Sequence, residues 1–261
     1  MDQGKRVNDP EELIASVYDR IFGLSLRFLG DPESARDATQ DICIRILGKL
    51  DTFRGESLFS TWALKVAANY LCDAKKSFME NLGFSFEMYE TDCAVTPDIA
   101  FLGTDAEREV LARELKHSCT TAMLQCLDRT DRLVYILHAF FAVPGETGAA
   151  ISGLTHEAYR KRLSRVRARM ANFLEKNCGL HSETAPCRCL ARVPYALEQR
   201  RIDRDRLFFT EAMERLDAET NAFRSESEFR VPARDAEIRR ILSTVSDALD
   251  IDRPARKPNE S

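Results

Sequence analysis

Leu13, Ile14, Val17, Ile21, Leu24 and Phe28 recur at helical spacing and predict one amphipathic helix over residues 11–29. Gly30 closes it. Asp31-Pro32 opens a second helix, with Asp31 as N-cap and Pro32 at the first helical position. Ala35, Ala38, Ile42, Ile46 and Leu50 form the apolar stripe of that helix, which is expected to run to about Leu50. A loop from Asp51 to Phe59 follows, and Ser60 is placed to cap a third helix reaching about Lys76. Periodicity is lost over 77–105, where Gly83, Thr91, Asp92, Thr96, Pro97 and Gly103 accumulate. This stretch reads as a linker.

The helical pattern returns over 106–127 and again over 128–142, where Val143-Pro144-Gly145 stops it. A short helix over 146–152, the turn Gly153-Leu154-Thr155 and a long basic helix from near His156 give the spacing of a helix-turn-helix. Past Lys176 come a Cys/His cluster and two charged helical stretches near 204–222 and 234–249. The tail from Asp252 is expected to be disordered. The chain shows no repeat and little strand signal, and only 11 Gly and 9 Pro in 261 residues interrupt it. The fold class expected is all-α: two small helical domains joined by a linker, with a C-terminal helical extension.

Composition narrows the function. The net charge of −4 means that any nucleic-acid contact must come from a local patch. No apolar run approaches the roughly 20 residues of a membrane span. Residues 1–12 are polar, without the apolar stretch of a secretory signal, so the expected compartment is the reducing cytoplasm. There, eight cysteines read first as buried thiols rather than disulfides. No Cys–His–Asp order or phosphate loop suggests an enzyme.

Two helices carry candidate chemistry. On the last helix of the helix-turn-helix, Tyr159, Leu163, Val166, Met170 and Phe173 share the core side. Arg160, Lys161, Ser164, Arg167 and Ala168 share the opposite side, flanked by Arg162, Arg165 and Arg169. From 156 to 176 seven basic residues stand against two acidic ones, a local charge of +5. Arginines spaced by small Ser164 and Ala168 suit a helix that approaches a groove, bonding phosphates or guanine edges. On the third helix Trp62, Lys65, Asn69, Cys72 and Lys76 share a face, preceded by a loop holding Phe53, Arg54 and Phe59. Rings, lysines and an amide suit unstacked bases, although core packing alone also accounts for Phe53 and Trp62.

Together these segments resemble a known family. Ala35-Arg36-Asp37-Ala38-Thr39-Gln40-Asp41, then Phe53-Arg54-Gly55-Glu56-Ser57-Leu58-Phe59-Ser60-Thr61-Trp62, then Ala67-Ala68-Asn69, are similar to region 2 of the extracytoplasmic-function (ECF) sigma factors. The stretch from Gly153 to Arg167 resembles the region 4 helix-turn-helix of that family. The resemblance implies a sigma factor, not an enzyme, that brings core RNA polymerase to promoter DNA and helps melt it. It implies region 2 over 1–77, a linker over 78–105, region 4 over 106–176 and an extension over 177–261. Asp37, Gln40 and Asp41 would grip core polymerase. Phe53, Arg54, Phe59, Trp62, Lys65, Asn69 and Lys76 would meet the minus-ten element, Asn69 reading a flipped base. Thr155, Arg160, Lys161, Arg162, Ser164, Arg165 and Arg167 would meet the minus-thirty-five element. An anti-sigma factor is a candidate partner. Gly148 departs from the family, standing where a large apolar residue is usual.

The extension lies outside the minimal family, which requires no cofactor. Cys178, His181, Cys187 and Cys189 offer three sulfurs and one imidazole within twelve residues, a candidate structural or sensory zinc site. Cys119 and Cys126, seven apart on one helical face, could either of them replace His181 if the extension folds back. A redox pair and plain packing are the other readings of these thiols.

Overall fold

The computed structural model describes residues 10–95 and 99–210. Helix α1 (Pro10–Leu29) ends at Gly30, whose φ of +80° is the left-handed turn that glycine takes without strain. Asp31 then caps α2 (Pro32–Leu47), accepting from the Ser34 N–H at 2.7 Å, as its sequence predicts. Helix α2 stops at Leu47 rather than Leu50, and Leu50–Thr52 form a single 3₁₀ turn. Helix α3 (Phe59–Asp73) starts one residue before Ser60. Ser60 is buried inside its first turn and does not cap it, and Leu58 in the capping position makes no side-chain bond.

The expected linker is not featureless. It holds α4 (Phe78–Asn81) and α5 (Phe86–Ala94), the first opened by a reciprocal capping box and the second capped by Ser85. In the box, the Ser77 N–H donates to Glu80 and the Glu80 N–H donates to the Ser77 hydroxyl oxygen. Helices α6 (Asp105–Gln125), α7 (Arg129–Ala139), α8 (Gly145–Ser152) and α9 (His156–Asn177) follow, with Thr104, Asp128 and Thr155 capping α6, α7 and α9. Gly153, at φ +69°, turns the chain between α8 and α9.

An unforeseen tenth helix, α10 (Cys189–Glu198), closes the described part. Pro194 lies inside it, where its ring removes the donor to the carbonyl four residues back. That carbonyl, Leu190, instead accepts from Arg108 Nε of α6 at 2.9 Å. The expected helix over 204–222 does not begin at 204, and residues beyond 210, including the 234–249 stretch and the tail, lie outside the described residues. The described residues contain no sheet, only an isolated pairing of Cys178 with Cys187.

Among the described residues one large core cluster joins the first three helices to the helix-turn-helix. Ile14, Ile21, Leu24 and Phe28 of α1 and Ile42 and Ile46 of α2 are in the same buried cluster as Leu124, Leu133, Ile136, Ile151, Met170 and Phe173. Helix α3 packs on α8, and α1 on α6 and α7. Polar ties fasten the same junction. Arg129 and Arg132 of α7 both pair with Glu80, at 2.7 and 3.0 Å, and Arg132 also donates to the Phe28 carbonyl at 2.7 Å. Burial disfavours the Glu80 charge, but the Arg129 hydrogen bonds, the Ser77 N–H and both guanidinium charges hold its pKa down at about 2. Gly30 completes the junction: a Cβ there would lie 2.8 Å from the Gln125 amide, which bonds the Phe28 carbonyl.

Candidate nucleic-acid interface

Helix α9 divides as its sequence predicts. Tyr159, Val166, Met170 and Phe173 are buried and Leu163 is half-buried against them. Arg160, Lys161, Ser164, Arg165, Arg167 and Ala168 are exposed on one continuous side. Thr155 serves its helix as N-cap, its hydroxyl accepting from the Ala158 N–H. Arg162 departs from the group: it bonds Asp131 of α7 at 2.7 Å and braces the helix from behind. Lys161 meets Glu157 at 2.7 Å, but both are exposed, so this pair is weak and readily exchanged for phosphate.

The position of α9 depends on Gly148. A Cβ on that residue would meet the Tyr159 ring at 2.5 Å from Cζ and would overlap its hydroxyl. Tyr159, fully buried, therefore fills the space that a large residue at 148 would take. Its hydroxyl is near the Val134 carbonyl, 3.4 Å away. The departure seen in the sequence is one half of an exchange between α8 and α9.

On α3, Lys65 and Asn69 are exposed. Phe53, Phe59 and Trp62 form a three-ring group with centroids 5.4–5.6 Å apart, half-buried against the core. The rings thus pack on the core and each keeps some exposed surface. Arg54 and Leu58 of the loop project into solvent. Lys76 is exposed but lies three residues past the end of α3, so it does not continue the helical face. The end of α3 is held by Arg129, which donates to the carbonyls of Leu71, Cys72 and Ala74.

Asp37 and Asp41 are exposed on α2, with Gln40 half-buried beside them. Asp41 accepts from the Tyr70 hydroxyl at 2.6 Å, and Arg45 lies 4.7 Å over the Tyr70 ring. Burial first, and then Asp41, push the Tyr70 phenol up to about 12. Ile44, an exposed large apolar residue one turn from Asp41, belongs to this surface. Its sequence signal is an apolar residue off the Ile42/Ile46 stripe.

The cysteines converge differently from the sequence expectation. His181 is exposed and faces Glu175 at 3.4 Å. Burial chiefly pushes the Cys119 thiol of α6 up to about 12, and the charges of Cys187, Cys189 and Cys178 add to the shift. Cys126 has Arg169 and Arg132 as its charged neighbours instead. Cys93 of α5 hydrogen-bonds Cys187, which raises Cys93 and lowers Cys187 to about 7 against its burial. Among the described residues no three His, Cys, Asp or Glu side chains are already set around a point where a metal would sit.

The family model for sigma-70 region 2 matches residues 13–77. The RNA polymerase sigma factor NccH of Alcaligenes xylosoxydans xylosoxydans is 28% identical over 162 residues, 61% of this chain and 84% of that protein. The ECF RNA polymerase sigma factor SigW of Bacillus subtilis is 27% identical over 125 residues, 47% of this chain and 67% of that one. Among solved structures, the sigma factor RpoE of Bartonella quintana, crystallised with the anti-sigma factor NepR, has a TM-score of 0.44. It is 20% identical and covers 65% of this chain and 98% of that one.

Proposed function

The chain is an RNA polymerase sigma factor of the ECF type, and from that premise we infer how its surfaces divide the work of initiation. It brings core polymerase to promoters through two DNA-facing surfaces that follow one another along the chain. The exposed face of α9 reads the minus-thirty-five element, with Arg160, Lys161 and Ser164 toward base edges and Arg165 and Arg167 toward phosphates. The exposed Lys65/Asn69 face of α3, with the Phe53/Phe59/Trp62 rings beside it, holds a base extruded from the minus-ten element. Asp37, Gln40 and Asp41, with Ile44, form the surface that docks on core polymerase, where acidic groups steer a basic partner. The chain makes and breaks no covalent bond, and it works where the polymerase does, in the cytoplasm.

The observation that carries this reading is the pairing, in one chain, of a bare basic recognition-helix face with a bare Lys/Asn face flanked by half-buried rings. Reconstitution with core polymerase tests it. The chain is expected to co-elute with core and to make thymines of one short segment reactive to permanganate on promoter DNA. Failure to bind core, or binding to DNA without any melting when core is present, would overturn it.

A further inference from the structure

Three chain segments bring thiols together where the C-terminal extension folds back on α6, and we propose that Cys119, Cys178, Cys187 and Cys189 bind one soft d10 cation of the zinc class. The isolated pairing of Cys178 with Cys187 sets these two residues side by side, about 5 Å apart. It is held by Gly179 N–H to the Cys187 carbonyl at 2.9 Å and Cys187 N–H to the Asn177 carbonyl at 3.2 Å. The Cys178 carbonyl accepts from the N–H groups of His181 and Ser182, both at 2.9 Å, and so turns the chain sharply after the first thiol. Position 179 has no room for a side chain: a Cβ would lie 2.6 Å from the Cys187 carbonyl and would overlap the Arg188 guanidinium. That guanidinium bonds the Ala185 and Glu183 carbonyls and fixes the loop between the two cysteines.

Cys189 is the first residue of α10, and α10 packs along α6, which carries Cys119. The pairing of Cys178 with Cys187, the single residue between Cys187 and Cys189, and the packing of α10 on α6 bring these three thiols to the helix that carries Cys119, and their charges bear on its thiol. Cys189 feels Cys187 and Cys178 in turn. All eight cysteines are free thiols. Four sulfurs from separate segments match the closed tetrahedral set of a structural zinc site, with metal–sulfur bonds of about 2.3 Å. Rotating χ1 between staggered wells moves a cysteine sulfur by roughly 3 Å, and that side-chain movement supplies closure on the ion. Cys93, against Cys187, stands as an outer thiol rather than a ligand. The site clamps the extension to α6, where the apolar contact otherwise rests on a small cluster around Leu111, Leu115, Val193 and Ala196.

The full chain, reduced and metal-free, is titrated with Co2+ and with 113Cd2+. One ion per chain is expected, with the intense visible bands of tetrahedral Co2+ thiolate and a cadmium resonance in the four-sulfur range. Cys119→Ser lowers Co2+ affinity by about tenfold or more, while His181→Ala and Cys126→Ser bind as the parent does. Absence of stoichiometric binding would overturn the proposal, as would full affinity in Cys119→Ser or loss of binding in His181→Ala. A cadmium resonance of three sulfurs and one nitrogen, read on the parent chain without any variant, would also overturn it. So would a Cys93–Cys187 disulfide formed in air by a chain that takes up no metal.

Discussion

On the proposed reading Asn69 and Arg160 decide how DNA is read, and each makes a separable claim. Asn69 is exposed on α3, and the proposed contact of its amide with a base exists only after that base leaves the stack. Asn69→Ala should therefore leave initial promoter binding near the parental level and depress open-complex formation, seen as lost permanganate reactivity. Equal loss in both steps would return Asn69 to a general contact. Arg160 and Arg167 are both exposed on α9 but differ in predicted target. Arg160→Ala should cost about 1–3 kcal/mol and relax preference at one upstream base pair. Arg167→Ala should weaken all sequences alike and flatten the salt dependence of binding. Binding to a promoter library at two salt concentrations separates them. These positions were legible in the sequence because helical periodicity alone decides which side of α9 is wet. Arg162 was not, because its engagement depends on Asp131 of another helix.

Within the elements, caps and stripes carried most of the information. Asp31 caps where the sequence places it, since a cap is a contact within three residues, and Asp128 and Thr155 cap their helices in the same way. Helix α5 left no periodic trace because its fastening is long-range and polar: Asp92 accepts from Arg192 and Arg201, both at 2.7 Å, across about a hundred residues. Helix α10 likewise depends on a distant partner, since the carbonyl that Pro194 leaves without a backbone donor is satisfied by Arg108. Cys119 joins the thiol group only because α10 packs on α6. Its sequence signal was conditional on that fold-back. The α8–α9 joint gives the prediction at this scale. Gly148→Ala should destabilise by about 1–3 kcal/mol through overpacking against Tyr159. At about 2–4 °C per kcal/mol for a chain of this size, a thermal melt resolves it. A second change, Tyr159→Leu, should recover part of the loss by making the space that the methyl needs. An unchanged melting temperature in Gly148→Ala would show that Tyr159 moves freely and does not set the joint.

At the scale of the whole molecule, the described residues form one packed body, and both surfaces proposed to face DNA belong to it. Elements named for positions ten and thirty-five are 25 base pairs apart, about 85 Å of duplex. A compact body of roughly 200 residues has a radius of gyration of only about 16 Å. On the reading proposed above, the closed form cannot meet both elements at once, and α1–α3 and α6–α9 are expected to part on polymerase. The Glu80–Arg129–Arg132 group opposes that parting. With a folded pKa of about 2 against an ordinary 4.5, the Glu80 contribution to stability is complete above pH 4.5. It is lost as pH falls toward 2. Glu80→Ala should cost about 3–5 kcal/mol, since it strands the buried Arg132 charge. It should also flatten the acid limb of stability between pH 4.5 and 2, and raise apparent affinity for core polymerase by freeing the open form. Weaker binding to core would contradict this role. The central claim, that one chain confers initiation through two promoter elements, is tested most directly by runoff transcription with purified core polymerase. Three templates are compared: an intact promoter, and the same promoter with either element scrambled. The account predicts a discrete transcript from the intact template only when the chain is present, and its loss when either element is scrambled. The same transcript from core alone, or repression by the chain without any new start site, would contradict it.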